Sequence, residues 1–273
     1  MIKCIISDLD ETLLDDEKNI PEINVQAIKK AQELGIPFVI ATGRGYTSIP
    51  QYLEVLDLKH KGMYSITNIG AIISDNECNK HISFEGLSYE AAKEIVQFGL
   101  DIGVCVQVFS ATDVYSFLTD QDEIDMLLSF KPDAHILDHT DYSFIKDLDI
   151  VKVMYQNLDI PYLQSLENKL SEFILSETTI SYSSHRYMEF NKKGISKAVG
   201  IEKLLKIMNI SKDDVLAIGD NHNDYAMLNY VTHSATVSNG VKELKDLCEY
   251  VSPLSSCEGG VADIIEHYIK KDI

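Results

Sequence analysis

Between Ile2 and Ala41 the chain passes from an apolar stretch of strand length, through an amphipathic segment, to a second apolar stretch. Few folds accept that order. In Ile20–Gly35, residues Ile23, Ala27, Ala31 and Leu34 fall at helical spacing, with Pro21 in the first turn and Gly35 at the end, which predicts a helix. Two strands joined by a helix make a βαβ unit and therefore a parallel sheet. In such sheets ligands bind at the carboxyl ends of the strands. The first strand ends in Asp8-Leu9-Asp10-Glu11-Thr12 and the second, Ile36–Ala41, in Thr42-Gly43-Arg44. Along an extended chain residues i and i+2 share a side, so Asp8 and Asp10 are expected to converge. Two carboxylates that close repel each other unless a cation lies between them, and a hard, oxygen-preferring ion such as Mg2+ suits the pair.

Further on, Tyr46–Leu58 reads as a helix and Met63–Thr67 as a strand that runs into Asn68-Ile69-Gly70-Ala71. Over residues 80–186 the character changes. Helical stretches (Ser88–Gly103, Gln121–Phe130, Pro161–Leu175) are interleaved with strands of stronger polar alternation (Val104–Ser110, Val114–Leu118, Ile150–Tyr155, Thr179–Ser183). This predicts an inserted α+β domain whose sheet is open on one face. From Tyr187 the βα rhythm returns. Gly194-Ile195-Ser196-Lys197 opens a helix running to about Met208, and Asp214–Ile218 is a buried strand that ends in Gly219-Asp220-Asn221-His222-Asn223-Asp224. Short strands at Ser234–Val237 and Tyr250–Ser252 precede a last helix ending near Ile269. The expected fold is α/β: residues 1–79 and 187–273 build a doubly wound, Rossmann-like parallel-sheet core, and residues 80–186 form the insertion.

Charge narrows the choice of partners. With 24 Lys and Arg against 43 Asp and Glu the formal net charge is -19, which repels nucleic-acid backbone and anionic lipid alike. Residues 80–186 alone hold 7 basic and 18 acidic residues. Cys4, Cys78, Cys105, Cys248 and Cys257 are scattered, odd in number and nowhere spaced C-x-x-C, which disfavours a disulfide framework and a zinc site. The first strand begins at once, with no signal-peptide pattern, and no apolar run approaches ~18 residues, so a cytoplasmic chain is expected. Oligomeric state leaves no trace in the sequence.

Four pieces carry chemistry: Asp8-x-Asp10-x-Thr12, Thr42-Gly43-Arg44, Lys197, and Gly219-Asp220-x-x-Asn223-Asp224. They supply a carboxylate pair, a hydroxyl beside a glycine backbone, an ammonium and a second acidic cluster. Phosphoryl transfer needs a positioned nucleophile, a metal and donors around three equatorial oxygens. In this order, three of them directly after apolar strands, the pieces resemble the haloacid dehalogenase-like phosphatases, and among them the Cof-type hydrolases with a cap inserted after the third core strand. The resemblance spans nearly the whole chain. It implies a doubly wound core with a mobile α/β cap over the strand ends, and hydrolysis of a small-molecule phosphomonoester. By motif, Asp8 resembles the nucleophile that becomes an aspartyl-phosphate, and Asp10 the acid and base for leaving group and water. Leu9, Thr42, Gly43, Lys197 and Asn223 match phosphate binders, and Arg44 a substrate contact. Mg2+ would be held by the Asp8 side chain, the Asp10 carbonyl and Asp220, with Asp224 a ligand itself or a partner of one. The chain departs from the family pattern twice. Glu11 stands where many members have glycine, and Asn68-Ile69-Gly70-Ala71 replaces the common Asn-Gly-Ala. His222, inside the last motif, is a poor Mg2+ ligand and is expected to face solvent or substrate.

Other readings share these residues. A sugar phosphomutase of the same fold would return the phosphoryl group to its substrate, and product analysis separates the two. A receiver that merely stores phosphate on an aspartate shares the acidic pair and lysine but is much shorter and lacks a cap. Asp10, placed for acid–base work, favours turnover over storage. The complete set of charged groups argues against an idle sugar-phosphate binder.

Overall fold

The computed structural model describes residues 1–271 of the chain. In chain order it opens with β1 (Cys4–Ser7), α1 (Glu22–Glu33), β2 (Phe38–Ala41), α2 (Pro50–Val55) and β3 (Tyr64–Thr67), then two strands, β4 (Ile72–Asp75) and β5 (Lys80–Phe84). Next come α3 (Tyr89–Asp101), β6 (Cys105–Ser110), β7 (Val114–Phe117), α4 (Gln121–Phe130), β8 (His135–Leu137), β9 (Ile150–Gln156), α5 (Ile160–Leu166), α6 (Glu172–Glu177), β10 (Thr178–Ser183) and β11 (Tyr187–Lys192). The chain closes with α7 (Lys197–Met208), β12 (Val215–Ile218), α8 (Tyr225–Tyr230), β13 (His233–Thr236), α9 (Lys242–Leu247), β14 (Tyr250–Val251) and α10 (Gly260–Lys271).

The core sheet has the order β14-β13-β12-β1-β2-β3-β4-β5. Its strands from β14 to β3 are parallel, and β4 and β5 are added antiparallel. Both faces are covered, as an all-apolar strand requires. Ile5, Phe38, Ile40, Leu216 and Ile218 pack with Val25 and Ile28 of α1 and Ile264 and Ile265 of α10. The alternate residues Cys4, Ile6, Val39, Ala41 and Val215 pack with Ile201 and Leu204 of α7 and Met227 of α8. Each such fully buried aliphatic side chain contributes roughly 1.5–3 kcal/mol. Within α1 the buried stripe is rotated from the one the spacing suggested. Val25 and Ile28 are buried while Ile23 and Leu34 are exposed, because Asn24 is also turned inward. Its amide donates to the Leu13 carbonyl at 3.4 Å and accepts from Ala262 N–H at 2.9 Å, satisfying an open donor at the start of α10.

The second sheet, β10-β11-β9-β6-β7-β8, is antiparallel apart from the β7–β8 pair. Val106, Val108, Phe117, Val153, Tyr155 and Phe190 face one core with Ile95 of α3, Leu163 of α5 and Ile174 of α6. Alternation puts Gln107, Lys152 and Glu189 on the opposite face.

The chain divides into two compact units, residues 1–84 with 196–273, and residues 85–195. The boundaries therefore lie several residues beyond those expected at 79/80 and 186/187. β5 pairs with β4 in the core sheet, and β11 lies between β9 and β10 in the inserted one. Two predicted helices are also split. Tyr46–Leu58 breaks before Pro50, leaving a 3-10 turn and α2. Pro161–Leu175 breaks at Leu170, where Ser171 turns to cap α6 through Ile174 N–H at 3.1 Å.

Candidate active site

Asp8 directly follows β1, and its N–H donates to the Ile218 carbonyl at 2.8 Å, carrying the β1–β12 ladder one residue further. Asp220 and Asp224 come from the turn after β12. Asp8, Asp220 and Asp224 are all buried, and one oxygen of each lies within 4.8 Å of the others. Lys197, the first residue of α7, is completely buried and donates to an Asp8 oxygen and, at 2.5 Å, to Asp224 Oδ1. The other Asp224 oxygen accepts from Asp220 N–H at 3.0 Å and Asn221 N–H at 3.2 Å. Thr12 Oγ1 donates to Asp220 Oδ1 at 2.5 Å. Gly219 leaves room for this arrangement: a Cβ there would stand 2.6 Å from Asp224 Cγ.

Burial pushes Asp8 up to about 7, with Lys197 pulling it down and Asp224 adding to the rise. Burial likewise carries Asp220 up to about 6, against the Thr12 hydrogen bond. Burial disfavours the Lys197 charge, but the carboxylates of Asp8 and Asp224 outweigh it and the ammonium is held above its ordinary value. One cation thus faces three buried carboxylates. That deficit of positive charge and the all-oxygen donor set fit a hard divalent cation such as Mg2+, with Asp8, Asp220 and Asp224 to hold it.

Asp10 corrects the sequence reading. Its side chain does not join Asp8 but is gripped by Arg44, Nε to Oδ2 at 2.8 Å and Nη2 to Oδ1 at 2.6 Å, with Lys18 Nζ at 3.3 Å. Between Asp8 and Asp10 the chain is already leaving the strand, so the alternation rule no longer applies. Nor is the Asp10 carboxyl raised by a carboxylate neighbour. Partial burial raises it, but the Arg44 hydrogen bonds and charge, helped by Lys18, hold it below the usual carboxylate range.

Among the other expected binders, Leu9 has its side chain in the core, its carbonyl accepting from Leu13 and Leu14, and its N–H donated to the Asp8 carboxylate. Thr42 is buried and its hydroxyl accepts from Arg44 N–H at 3.1 Å, while Gly43 and Asn223 are exposed. His222 is exposed and lies outside the carboxylate cluster. Sequence reasoning missed Lys18, Tyr52 and Asn239. The Tyr52 hydroxyl accepts from Arg44 Nη1 at 3.2 Å, and its ring lies under the guanidinium. Asn239 donates to the Glu11 carbonyl at 2.7 Å. Its partner is the residue that replaces the family's glycine, and Glu11 does adopt the left-handed conformation a glycine would take, with φ 58°. That conformation costs a residue with a Cβ about 1–2 kcal/mol.

The family model for haloacid dehalogenase-like hydrolases matches residues 5–265. The chain belongs to the haloacid dehalogenase-like hydrolases. A relative from Streptococcus pyogenes serotype M6 is 30% identical over 269 residues, 98% of either chain. The Bacillus subtilis protein named 5-amino-6-(5-phospho-D-ribitylamino)uracil phosphatase YwtE is 28% identical over 291 residues, again 98% of each. Among solved structures, TM0651 from Thermotoga maritima superposes with a TM-score of 0.87 at 24% identity, over 98% of this chain and 97% of that one. This last likeness speaks to the shared fold.

Proposed function

We propose that the chain is a Mg2+-dependent phosphatase of small phosphomonoesters that works through an aspartyl-phosphate on Asp8. The observation that carries this is the buried Lys197 ammonium, shared between Asp8 and Asp224 at the carboxyl ends of β1 and β12. A buried carboxylate poised beside a cation, short of positive charge, suits a nucleophile that must approach an anionic phosphorus. Mg2+, when bound, would offset the charge on the transferring phosphoryl group.

An Asp8 oxygen attacks phosphorus as the ester P–O bond breaks, and the leaving alkoxide takes a proton from Asp10. Water then attacks the aspartyl-phosphate, Asp10 takes its proton, and phosphate leaves with Asp8 restored. The Thr42 hydroxyl, the Gly43 backbone, Lys197 and Asn223 hold the phosphoryl oxygens. For the first proton transfer Asp10 must be protonated and must part from Arg44, so the resting clamp favours its base form. Arg44 is then free to meet the substrate.

The substrate body is neutral in this reading, with sugar phosphates foremost. Support comes from the acidic balance of the chain, 24 Lys and Arg against 43 Asp and Glu, which disfavours a further anionic group on the substrate. The relative named for a phosphoribitylamino compound points the same way. The test is phosphate release from a panel of sugar, nucleotide and cofactor phosphates, with Mg2+ and with chelator. Turnover should require Mg2+, and Asp8→Asn should lower kcat by several orders of magnitude without loss of fold. Asp8→Asn retaining more than about a tenth of wild-type turnover would rule out the nucleophile assignment.

A further inference from the structure

Asn68, Ile69 and Gly70 are three consecutive left-handed residues, with φ of 50°, 57° and 98°. Glycine adopts such values freely, whereas a β-branched residue adopts them only when its surroundings dictate. Here they do so from two sides. Asn68 N–H donates to the Arg44 carbonyl at 2.9 Å and Ile69 N–H to the Thr42 carbonyl at 3.1 Å, lacing the turn to the loop after β2. On the other side Gly70 lies against the start of α7. A Cβ on Gly70 would stand 2.1 Å from the Ser196 carbonyl oxygen and 3.2 Å from Lys197 N, and one on Gly200 would stand 2.9 Å from Gly70 Cα. The turn is a spacer between the segment bearing Thr42 and Gly43 and the segment bearing Lys197. The Ile69 side chain, half-buried, backs the first of these: its Cγ1 lies 3.6 Å from where a Gly43 Cβ would be.

We propose that Ile69 is a positioning residue, which holds the Thr42–Gly43 donors at a fixed distance from the Lys197 ammonium. The role rests on the reading above that both segments grip the same phosphoryl group. A rotation of Ile69 out of the left-handed region would carry its N–H away from Thr42 and disturb the Gly70–Ser196 contact, so the backbone strain is retained by bonds on both sides. Glycine at this position would relieve the strain, but it would leave Gly43 without backing and open other conformations to the turn. The two gripping segments would then have to be ordered by the anion itself, which lowers affinity.

Orthophosphate with Mg2+ serves as the probe, titrated calorimetrically beside turnover of p-nitrophenyl phosphate. Ile69→Gly should melt within a few degrees of wild type, while its phosphate Kd and its KM rise about tenfold and kcat changes less than about threefold. Ile69→Val, which keeps the β-branch, should restore wild-type values, and Ile69→Ala should fall between. Ile69→Ala carries the comparison if the glycine variant does not fold. Wild-type phosphate affinity in both the glycine and alanine variants would overturn the proposal. So would parallel losses of melting temperature and kcat at unchanged phosphate affinity, the signature of ordinary packing. A wild-type protein that neither binds orthophosphate nor releases it from the ester would overturn the functional reading, and the positioning role with it.

Discussion

Lys197 is the residue on which the site's charge balance turns. It is a buried ammonium between two buried carboxylates, and breaking such a group by removing one partner costs about 3–5 kcal/mol. Lys197→Met should therefore lower stability by that order at neutral pH, measured by urea unfolding of the metal-free protein. The loss should shrink in acid, where Asp8 can take up a proton and shed its charge. A loss independent of pH would place the cost in packing. The same carboxylates give the wild type a pH dependence of unusual sign. Asp8 and Asp220 sit at about 7 and about 6, above the range of an unfolded chain. Between roughly pH 4 and those values the native state holds protons that the unfolded state has released. Their contribution is complete below the unfolded pKa and is lost as pH rises through about 6 and then about 7. The melting temperature of the metal-free protein should thus fall from about pH 5 to about pH 8, and Mg2+ should stabilise most at the upper end, because it takes the deprotonated ligands. A flat profile without metal would remove the assigned burial of both carboxylates.

At the scale of elements, the strands that carry the candidate site are readable because their signals are local. An apolar run that ends in acidic or Thr-Gly residues places Asp8, Thr42 and Asp220 at strand ends without any knowledge of the tertiary fold. What the sequence could not convey depends on contacts far along the chain. The Asp10–Arg44 clamp joins residues 34 apart, and Lys18 reaches the same carboxylate from a polar loop. The strands β5, Lys-His-Ile-Ser-Phe, and β11, Tyr-Met-Glu-Phe-Asn-Lys, have alternation that would suit either sheet, so only their pairing decides which unit each belongs to. The tight turn between β12 and α8 offers a direct test of how an element aims a ligand. Asp224 is fixed by two backbone donors and by Lys197, so it cannot yield to a new methyl group at Gly219. Gly219→Ala should weaken the apparent Mg2+ affinity by about 10–100-fold, as loss of a supporting contact commonly does, read from the metal dependence of turnover. Unchanged metal dependence would mean that Asp224 is not held where the metal needs it.

The whole molecule imposes a field that no single residue reports. A net charge of -19 surrounds a site that must admit an anion, and the counter-charge described there comes from Lys197, Arg44, Lys18 and whatever metal the site holds. Arg44 and Lys18 are both engaged by Asp10. A substrate with one phosphate pays this repulsion once and recovers it at the metal. A second phosphate would meet the same repulsion with no metal of its own to offset it. Long-range repulsion of this kind acts chiefly on capture and is screened beyond about 8 Å at physiological salt. Glucose 6-phosphate should accordingly show a higher kcat/KM than fructose 1,6-bisphosphate. The gap should narrow as ionic strength rises from about 0.01 M to about 0.15 M, since the bisphosphate gains more from screening. Its gain should appear in kcat/KM with kcat little changed, because in the proposed reaction only one phosphate reaches Asp8. A bisphosphate preferred at low salt would mean that a local cationic site outweighs the field, and the neutral-bodied substrate class would have to be abandoned.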